Sequence, residues 1–463
     1  MAASNSPSVV DIARNARLAS TELQSVTGAT KSMALKHIQA ALLEHKATII
    51  AANRKDKEAS AGAEVDAGRL SASLFKRLDI EGANEEKFMT MVEGVADVDK
   101  LEDPTGRVSL ATKLDEQLEM YRVACPVGVL LVIFEARPEV AVNISALAIK
   151  SGNAVILKGG KEATHTLQAL NACLREALNG LSAEHRIPAD AIQLVSRREE
   201  IAKLLDQDKY IDMVIPRGSN ALVRHIQNNT RIPVLGHADG LCSIFIDATA
   251  DVKKSIDIVL DAKLSYPAAC NAVETLLVHA DAAERVLPSL GAALFAQQVQ
   301  LRADAATLAH LPTPSEPHLL QAIVDADDDT EFLDAVLSVR VVASLADAIA
   351  HINAHGSKHT DAIITEDKDN AELFMTQVDA AGVYWNASTR FADGFRYGFG
   401  TEIGVSTNKT HARGPVGLEG LVIYKYRMYG NGQASAAYGV GEGKRRYLHE
   451  AIPLETCANR FRK

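Results

Sequence analysis

Gly128-Val129-Leu130-Leu131-Val132-Ile133-Phe134 is an unbroken apolar run, and the segments around it repeat a regular pattern. An apolar stretch of helical length covers 140–150, and Ala154-Val155-Ile156-Leu157 is a second short apolar run. The alternation continues with a helix over 162–178, a strand over 191–195 and a helix over 198–206. A strand over 211–215, a helix over 219–228 and a strand over 232–235 complete it. Strands that are apolar throughout, with no in-and-out alternation, are buried on both faces, as parallel sheets require. Right-handed crossovers then place helices on both sides, giving a doubly wound α/β domain. Its ligands should lie beyond the carboxyl ends of the strands.

Outward from this block, the first hundred residues read as helices, with apolar residues at helical spacing across 33–53. Residues 106–123 read as a hairpin, its strands joined by the charged Lys113-Leu114-Asp115-Glu116. Such a ribbon is either an oligomerisation flap or an ordinary surface hairpin. A second α/β segment follows, with strands over 273–278, 339–342, 362–365 and 382–386 and helices over 345–354 and 370–378. Residues 304–317 hold three prolines and read as a surface connection. Residues 421–426 are strand-like, and the glycine-rich tail beyond them either adds a strand to a neighbour or is mobile.

The chain has 463 residues, 47% hydrophobic and 23% charged, with a formal net charge of -10. That length allows two or three domains, and that charge argues against a general nucleic-acid binder. The five cysteines are scattered and odd in number, with no CxxC pair and no local His/Cys cluster. No metal site and no disulfide framework are expected, and a reducing compartment fits. No apolar run is long enough to span a bilayer, so no membrane association is expected. Met1 to Ser8 has no apolar signal core. Arg14 and Arg17 would suit a transit segment and Asp11 would not, which leaves the cytoplasm as the expected location.

Several features carry chemistry. Ile215-Pro216-Arg217-Gly218-Ser219 runs from a strand into a helix start. Its backbone N–H groups and Ser219 hydroxyl suit a pyrophosphate, and equally a plain helix cap. Lys158-Gly159-Gly160-Lys161 ends a strand and suits a ribose or phosphate, or a solvated turn. Cys270 lies among small residues in Ser265-Tyr266-Pro267-Ala268-Ala269-Cys270-Asn271-Ala272, so a substrate can approach its sulfur. Most cysteines are inert packing residues, and Cys242 in the apolar 241–246 faces that reading too. Arg137, Arg390, His411 and Arg413 are cations near strand ends or glycine turns, with surface ion pairs as the plain alternative.

Together these motifs carry a resemblance. Phe134-Glu135-Ala136-Arg137-Pro138, Lys150-Ser151-Gly152-Asn153-Ala154-Val155-Ile156-Leu157-Lys158-Gly159-Gly160-Lys161-Glu162 and Gly236-His237-Ala238-Asp239-Gly240 are three of them. Pro267 to Asn271, Asn386-Ala387-Ser388-Thr389-Arg390-Phe391 and His411-Ala412-Arg413-Gly414-Pro415-Val416-Gly417-Leu418-Glu419-Gly420-Leu421 are the others. The chain resembles the gamma-glutamyl phosphate reductases of the aldehyde dehydrogenase superfamily over nearly its whole length. The resemblance implies an aldehyde dehydrogenase-like α/β fold of two doubly wound domains plus a small β oligomerisation flap. An NADP-binding domain is expected over 1–107 and 127–245, and a catalytic domain over 246–420. The flap and tail are expected over 108–126 and 421–463.

The resemblance further implies NADPH-dependent reduction of L-glutamyl 5-phosphate to L-glutamate 5-semialdehyde in proline biosynthesis. Cys270 takes the position of the nucleophile, and Lys158, Gly218, Ser219 and Glu402 those of the cofactor contacts. Asn271 and the Cys270 backbone N–H are expected as oxyanion donors, and Arg137, Arg390, His411 and Arg413 as substrate contacts, with Arg413 on the substrate side. Where oxidising, hydrolytic relatives carry a general-base glutamate, this chain has Val234, and Glu135-Ala136-Arg137-Pro138 replaces their asparagine-bearing segment. Without a base to activate water, a thioester exchanges with phosphate rather than hydrolysing. A hydrolytic aldehyde dehydrogenase and a non-catalytic relative are the competing readings. A homo-oligomer, dimer or tetramer, is expected. The segment ahead of the reductase-like region is too short for a kinase, so a glutamate 5-kinase is expected as a separate protein, and the lability of the acyl phosphate makes transient contact with it an expectation.

Overall fold

The computed structural model describes residues 7–61, 72–196 and 200–462. The first six residues and the start of the helix expected over 198–206 lie outside the described residues. The chain divides into two compact units. One comprises Met1–Leu235, Phe399–Gly404 and Val416–Lys463, the other Gly236–Gly398 and Val405–Pro415.

In the first unit, β1 (Val108–Asp115) and β2 (Leu118–Pro126) form an antiparallel hairpin. Then β3 (Val129–Phe134), β4 (Ala154–Lys158), β5 (Ile192–Leu194) and β6 (Met213–Arg217) make a parallel sheet in the order β5-β4-β3-β6. Every residue of β3 and β4 is buried, as their unbroken apolar character requires. The helix Val140–Ser151 between them is buried almost all round. The strand expected over 232–235 is a single bridge from Val234 to Val214, because Pro233 has no N–H to extend a ladder. The helical spacing across 33–53 is carried by two helices, Gly28–Glu44 and Lys46–Ser60, which meet where His45 leaves helical geometry.

In the second unit, β7 (Cys242–Ile246), β8 (Val273–His279), β9 (Gln300–Ala303), β10 (Leu320–Ala322), β11 (Val336–Val342), β12 (Thr360–Ile364) and β13 (Gly382–Trp385) form one sheet, ordered β10-β9-β11-β8-β7-β12-β13. All its pairs are parallel. Side chains from the same strands feed two cores. Ile244, Ile246, Leu276, Val278, Ala362 and Ile364 join one cluster, with apolar residues of the helices Val252–Leu264 and Ala280–Ala296. Phe245, Leu277 and Ile363 join another, with residues of Leu345–His355 and Lys368–Gln377. A sheet that buries alternate residues on opposite sides is covered on both faces.

Short strands β14 (Gly404–Ser406) and β15 (Gly414–Val416) pair with each other. The tail then returns to the hairpin of the first unit. β16 (Val422–Tyr429) pairs antiparallel with β2 and β17 (Glu450–Ala451) with β1, giving a four-stranded sheet ordered β16-β2-β1-β17. Cys457 is buried against Val108, Ala111, Tyr121 and Val123 in that sheet's small core. Among the described residues, no helix is long and apolar enough to cross a membrane.

Candidate active site

In the first unit, chain order reverses about β3, with β4 on one side and β6 on the other. Such a reversal opens a crevice at the carboxyl ends of the strands, where doubly wound sheets bind ligands. Lys158, Gly218 and Ser219, three of the expected cofactor residues, sit there. Lys158 ends β4 and is buried, its Nζ donating to the Gly159 carbonyl. Gly218 and Ser219 follow β6 and open the helix Asn220–Asn228. Ser219 occupies the N-cap position, but its side chain makes no capping hydrogen bond. Instead its backbone N–H donates to Glu135 Oε2 at 2.9 Å. A Cβ on Gly218 would stand 2.5 Å from that same oxygen, so a larger residue would displace the Glu135 side chain. Glu402 belongs to Phe399–Gly404, which groups with this unit although far away in sequence. Arg137 lies in the turn after β3, where burial pushes the Glu139 carboxyl up against the opposing pull of Arg137 and Arg217.

In the second unit, Cys270 lies on a tight connection from the helix Val252–Leu264 to β8. Ala269 N–H bonds the Tyr266 carbonyl at 3.1 Å and Ala272 N–H the Ala269 carbonyl at 2.9 Å, two turns in succession. An ion pair fixes both ends of this loop. Lys263 Nζ and Glu274 Oε2 are 2.7 Å apart, with both side chains at most 1% exposed. Lys263 also donates to the Val273 carbonyl. Burial pulls Lys263 down and pushes Glu274 up, each opposed by its partner.

A second loop locks onto the first. The Asn271 amide donates to the Ala392 carbonyl at 3.0 Å, and Thr389 Oγ1 donates to the Asn271 carbonyl at 2.7 Å. Arg390 donates to Asn271 Oδ1 and, through Nε, to Ser265 Oγ. Burial lowers the pKa of Arg390, while the nearby Cys270 sulfur works the other way. Asn271, expected as an oxyanion donor, thus uses one of its two amide N–H groups to hold the loops together.

Behind the cysteine the backbone comes close. A Cβ on Gly240 would lie 2.1 Å from the Cys270 carbonyl oxygen and 2.6 Å from its Cα. Gly240 N–H is held by Glu331 Oε1 at 3.0 Å. This approach carries His237, three residues earlier, towards the sulfur. Donor atoms of His237, Cys270 and His359 all lie within 4.8 Å of one another. His237 Nδ1 sits 3.0 Å from the Val405 carbonyl, which requires an N–H there and leaves the lone pair on Nε2. His359 is fully buried, its Nδ1 facing Thr360 Oγ1 at 3.0 Å and Cys242 Sγ at 3.8 Å. Its Nε2 is buried without a hydrogen-bond partner. Cys270 itself is half-buried, whereas Cys242 is enclosed and its thiol is driven well up by burial.

His237 and His359 received no role from sequence. His237 stood inside a quoted motif, but His359 is a lone histidine at the start of a strand, and only the sheet brings it alongside. Arg413 is bonded to Asp379 Oδ1 at 2.9 Å, with Lys358 and Lys409 on the same carboxylate. Those cations, the Lys409 hydrogen bond foremost, hold the Asp379 carboxyl below the ordinary range. His411 is exposed nearby in sequence.

Residues 1–309 match the model of the aldehyde dehydrogenase family. The probable gamma-glutamyl phosphate reductase of Schizosaccharomyces pombe is 50% identical over 451 residues, 97% of this chain and 98% of that one. The gamma-glutamyl phosphate reductase of Saccharomyces cerevisiae is 48% identical over 455 residues, 96% of this chain and 98% of its own. The crystal structure of the Thermotoga maritima gamma-glutamyl phosphate reductase superposes with a TM-score of 0.85 at 35% identity, covering 92% of this chain and all of that one. The chain belongs to the aldehyde dehydrogenase family. Within it the chain stands with the gamma-glutamyl phosphate reductases and is an oxidoreductase of that group.

Proposed function

We propose that this chain reduces L-glutamyl 5-phosphate to L-glutamate 5-semialdehyde with NADPH, through a thioester on Cys270, as a step of L-proline biosynthesis. The observation that carries the reading is the half-buried Cys270 on a clamped turn with two imidazoles beside it. His237, its tautomer set by the Val405 carbonyl, takes the thiol proton at Nε2. The thiolate attacks the acyl carbon, the carbon–oxygen bond to phosphate breaks, and phosphate leaves with that electron pair. The Cys270 backbone N–H and the second N–H of the Asn271 amide steady the oxyanion, while the first N–H holds the loop. Arg390 receives the phosphate or carboxylate charge, with Arg137, His411 and Arg413 as further candidates.

When bound, NADPH supplies the hydride that reduces the thioester carbonyl. Collapse of the resulting thiohemiacetal breaks the carbon–sulfur bond, releases the aldehyde and regenerates Cys270. Lys158, Gly218, Ser219 and Glu402 hold the dinucleotide. Their chemistry fits: the Ser219 N–H already donates to an anionic oxygen, that of Glu135, which must give way to a pyrophosphate. Val234 in place of a base keeps water from competing.

Run in reverse, semialdehyde and NADP+ should yield NADPH beyond one equivalent per Cys270 only when inorganic phosphate is present, and Cys270→Ala should abolish the signal. Phosphate-independent turnover would point to a hydrolytic dehydrogenase instead. Assembly into a homo-oligomer through the flap is part of the same proposal. Its edge strand β16 exposes Tyr424, Tyr426 and Met428, and edges of that kind are usually covered. Sedimentation of a Tyr426→Lys/Met428→Lys variant as a monomer would support it, and an unchanged oligomer would not.

A further inference from the structure

The His237, Cys270 and His359 group contains no carboxylate, and its donors are a thiol and two imidazoles. That is the ligand set of soft and borderline cations, not of magnesium or calcium. We propose that these three side chains form a site for a thiophilic divalent cation of the zinc type, whose binding ties up the Cys270 sulfur and reversibly silences the enzyme. The silencing rests on Cys270 being the nucleophile; the site itself rests on geometry alone.

Three observations support it independently of the reaction. Tetrahedral zinc, with bonds of about 2.0–2.3 Å to nitrogen and sulfur, needs its ligands roughly 3.3–3.6 Å apart. The donors lie within 4.8 Å of one another, so coordination asks for side-chain shifts on the order of 1 Å. His359 is fully buried, and its Nε2 has no hydrogen-bond partner. Since Nδ1 is taken by Thr360 and Cys242, Nε2 is the nitrogen left to coordinate. His237 donates Nδ1–H to the Val405 carbonyl, the outer-shell bond that orients metal-binding histidines and makes the other nitrogen more basic. Three protein ligands leave a fourth position for water or an incoming chelator, so binding is reversible. On binding, the Cys270 thiol gives its proton to solvent and a sulfur–metal bond forms, with no change of oxidation state.

The test uses the full chain, stripped of metal and titrated with Co2+ as the coloured probe. We expect thiolate-to-cobalt absorption that saturates at one equivalent and is displaced by Zn2+. Cys270→Ala should lose the band, and His359→Gln should weaken binding about tenfold or more. Because His359 is buried, His237→Gln, on a less enclosed residue, serves as the second variant and should weaken binding similarly. Absence of the band, or unchanged affinity in both histidine variants, overturns the site. Loss of reductase activity in Cys270→Ala without any cobalt band in the wild type would leave the nucleophile intact and remove only the metal. A saturated band with undiminished reductase activity would uphold coordination but contradict the silencing.

Discussion

The two parallel sheets of this protein use opposite ends. In the first unit, Lys158, Gly218 and Ser219 follow β4 and β6, at the carboxyl ends of the strands. In the second unit, His237 and Gly240 precede β7, Cys270 precedes β8 and His359 precedes β12, at the amino ends of three strands adjacent in the order β8-β7-β12. Carboxyl ends of a doubly wound sheet feed directly into helix N-termini, which suit phosphate. Amino ends offer unpaired strand N–H groups, and this unit caps them with side chains. Glu331 takes Gly240 N–H, Ser357 takes Leu241 N–H and Asp361 takes Ser243 N–H. One end therefore comes with topology alone, while the other depends on specific clamps.

If that contrast is right, damage to the clamps should exceed damage to the cofactor turns. The largest effect should come from Lys263→Met, which strands Glu274 in the interior and should cost about 3–5 kcal/mol of unfolding free energy, measured by denaturant titration. Adding Glu274→Leu should recover most of it. Gly240→Ala pushes a methyl against the Cys270 backbone, and kcat/KM should fall about 100-fold at unchanged fold, since a displacement of about 1 Å at a nucleophile is worth that much. Lys158→Ala, at the other sheet end, should raise the KM for NADPH about tenfold and leave the phosphate requirement alone. Equal or larger losses at Lys158 than at Gly240 would erase the contrast.

The smallest signal is in pH. Asp361 is enclosed, and burial pushes its carboxyl up to about 7. The folded state therefore favours the protonated form, so this group's contribution to stability is present in acid and is lost as pH rises from the ordinary carboxylate range through about 7. Asp361→Asn cannot titrate, so its thermal midpoint should lose that decline between pH 5 and 8. Parallel melting curves for the two proteins would show the capping carboxylate to be ionised already and the account of it wrong.

The same contrast explains what could be read from sequence. The run 128–134 and its successors were legible because two-sided burial leaves an uninterrupted apolar signature, and the turns proposed for the cofactor follow from strand ends. The motif holding Cys270 was legible too, through small flanking residues and resemblance. His359 was not, because a single histidine before a strand has no periodicity, and its neighbours come from positions 237 and 270. The short β9 and β10 were missed for want of length. The mutual engagement of Asn271, Arg390 and Ala392 was hidden because it joins two loops.

The most direct measurement is mass spectrometry of the enzyme after incubation with NADP+ and glutamate 5-semialdehyde in phosphate-free buffer. The peptide carrying Cys270 should gain a glutamyl thioester that persists in water and disappears when phosphate is added. A peptide that stays unmodified, or an adduct that water removes as fast as phosphate does, would contradict the account.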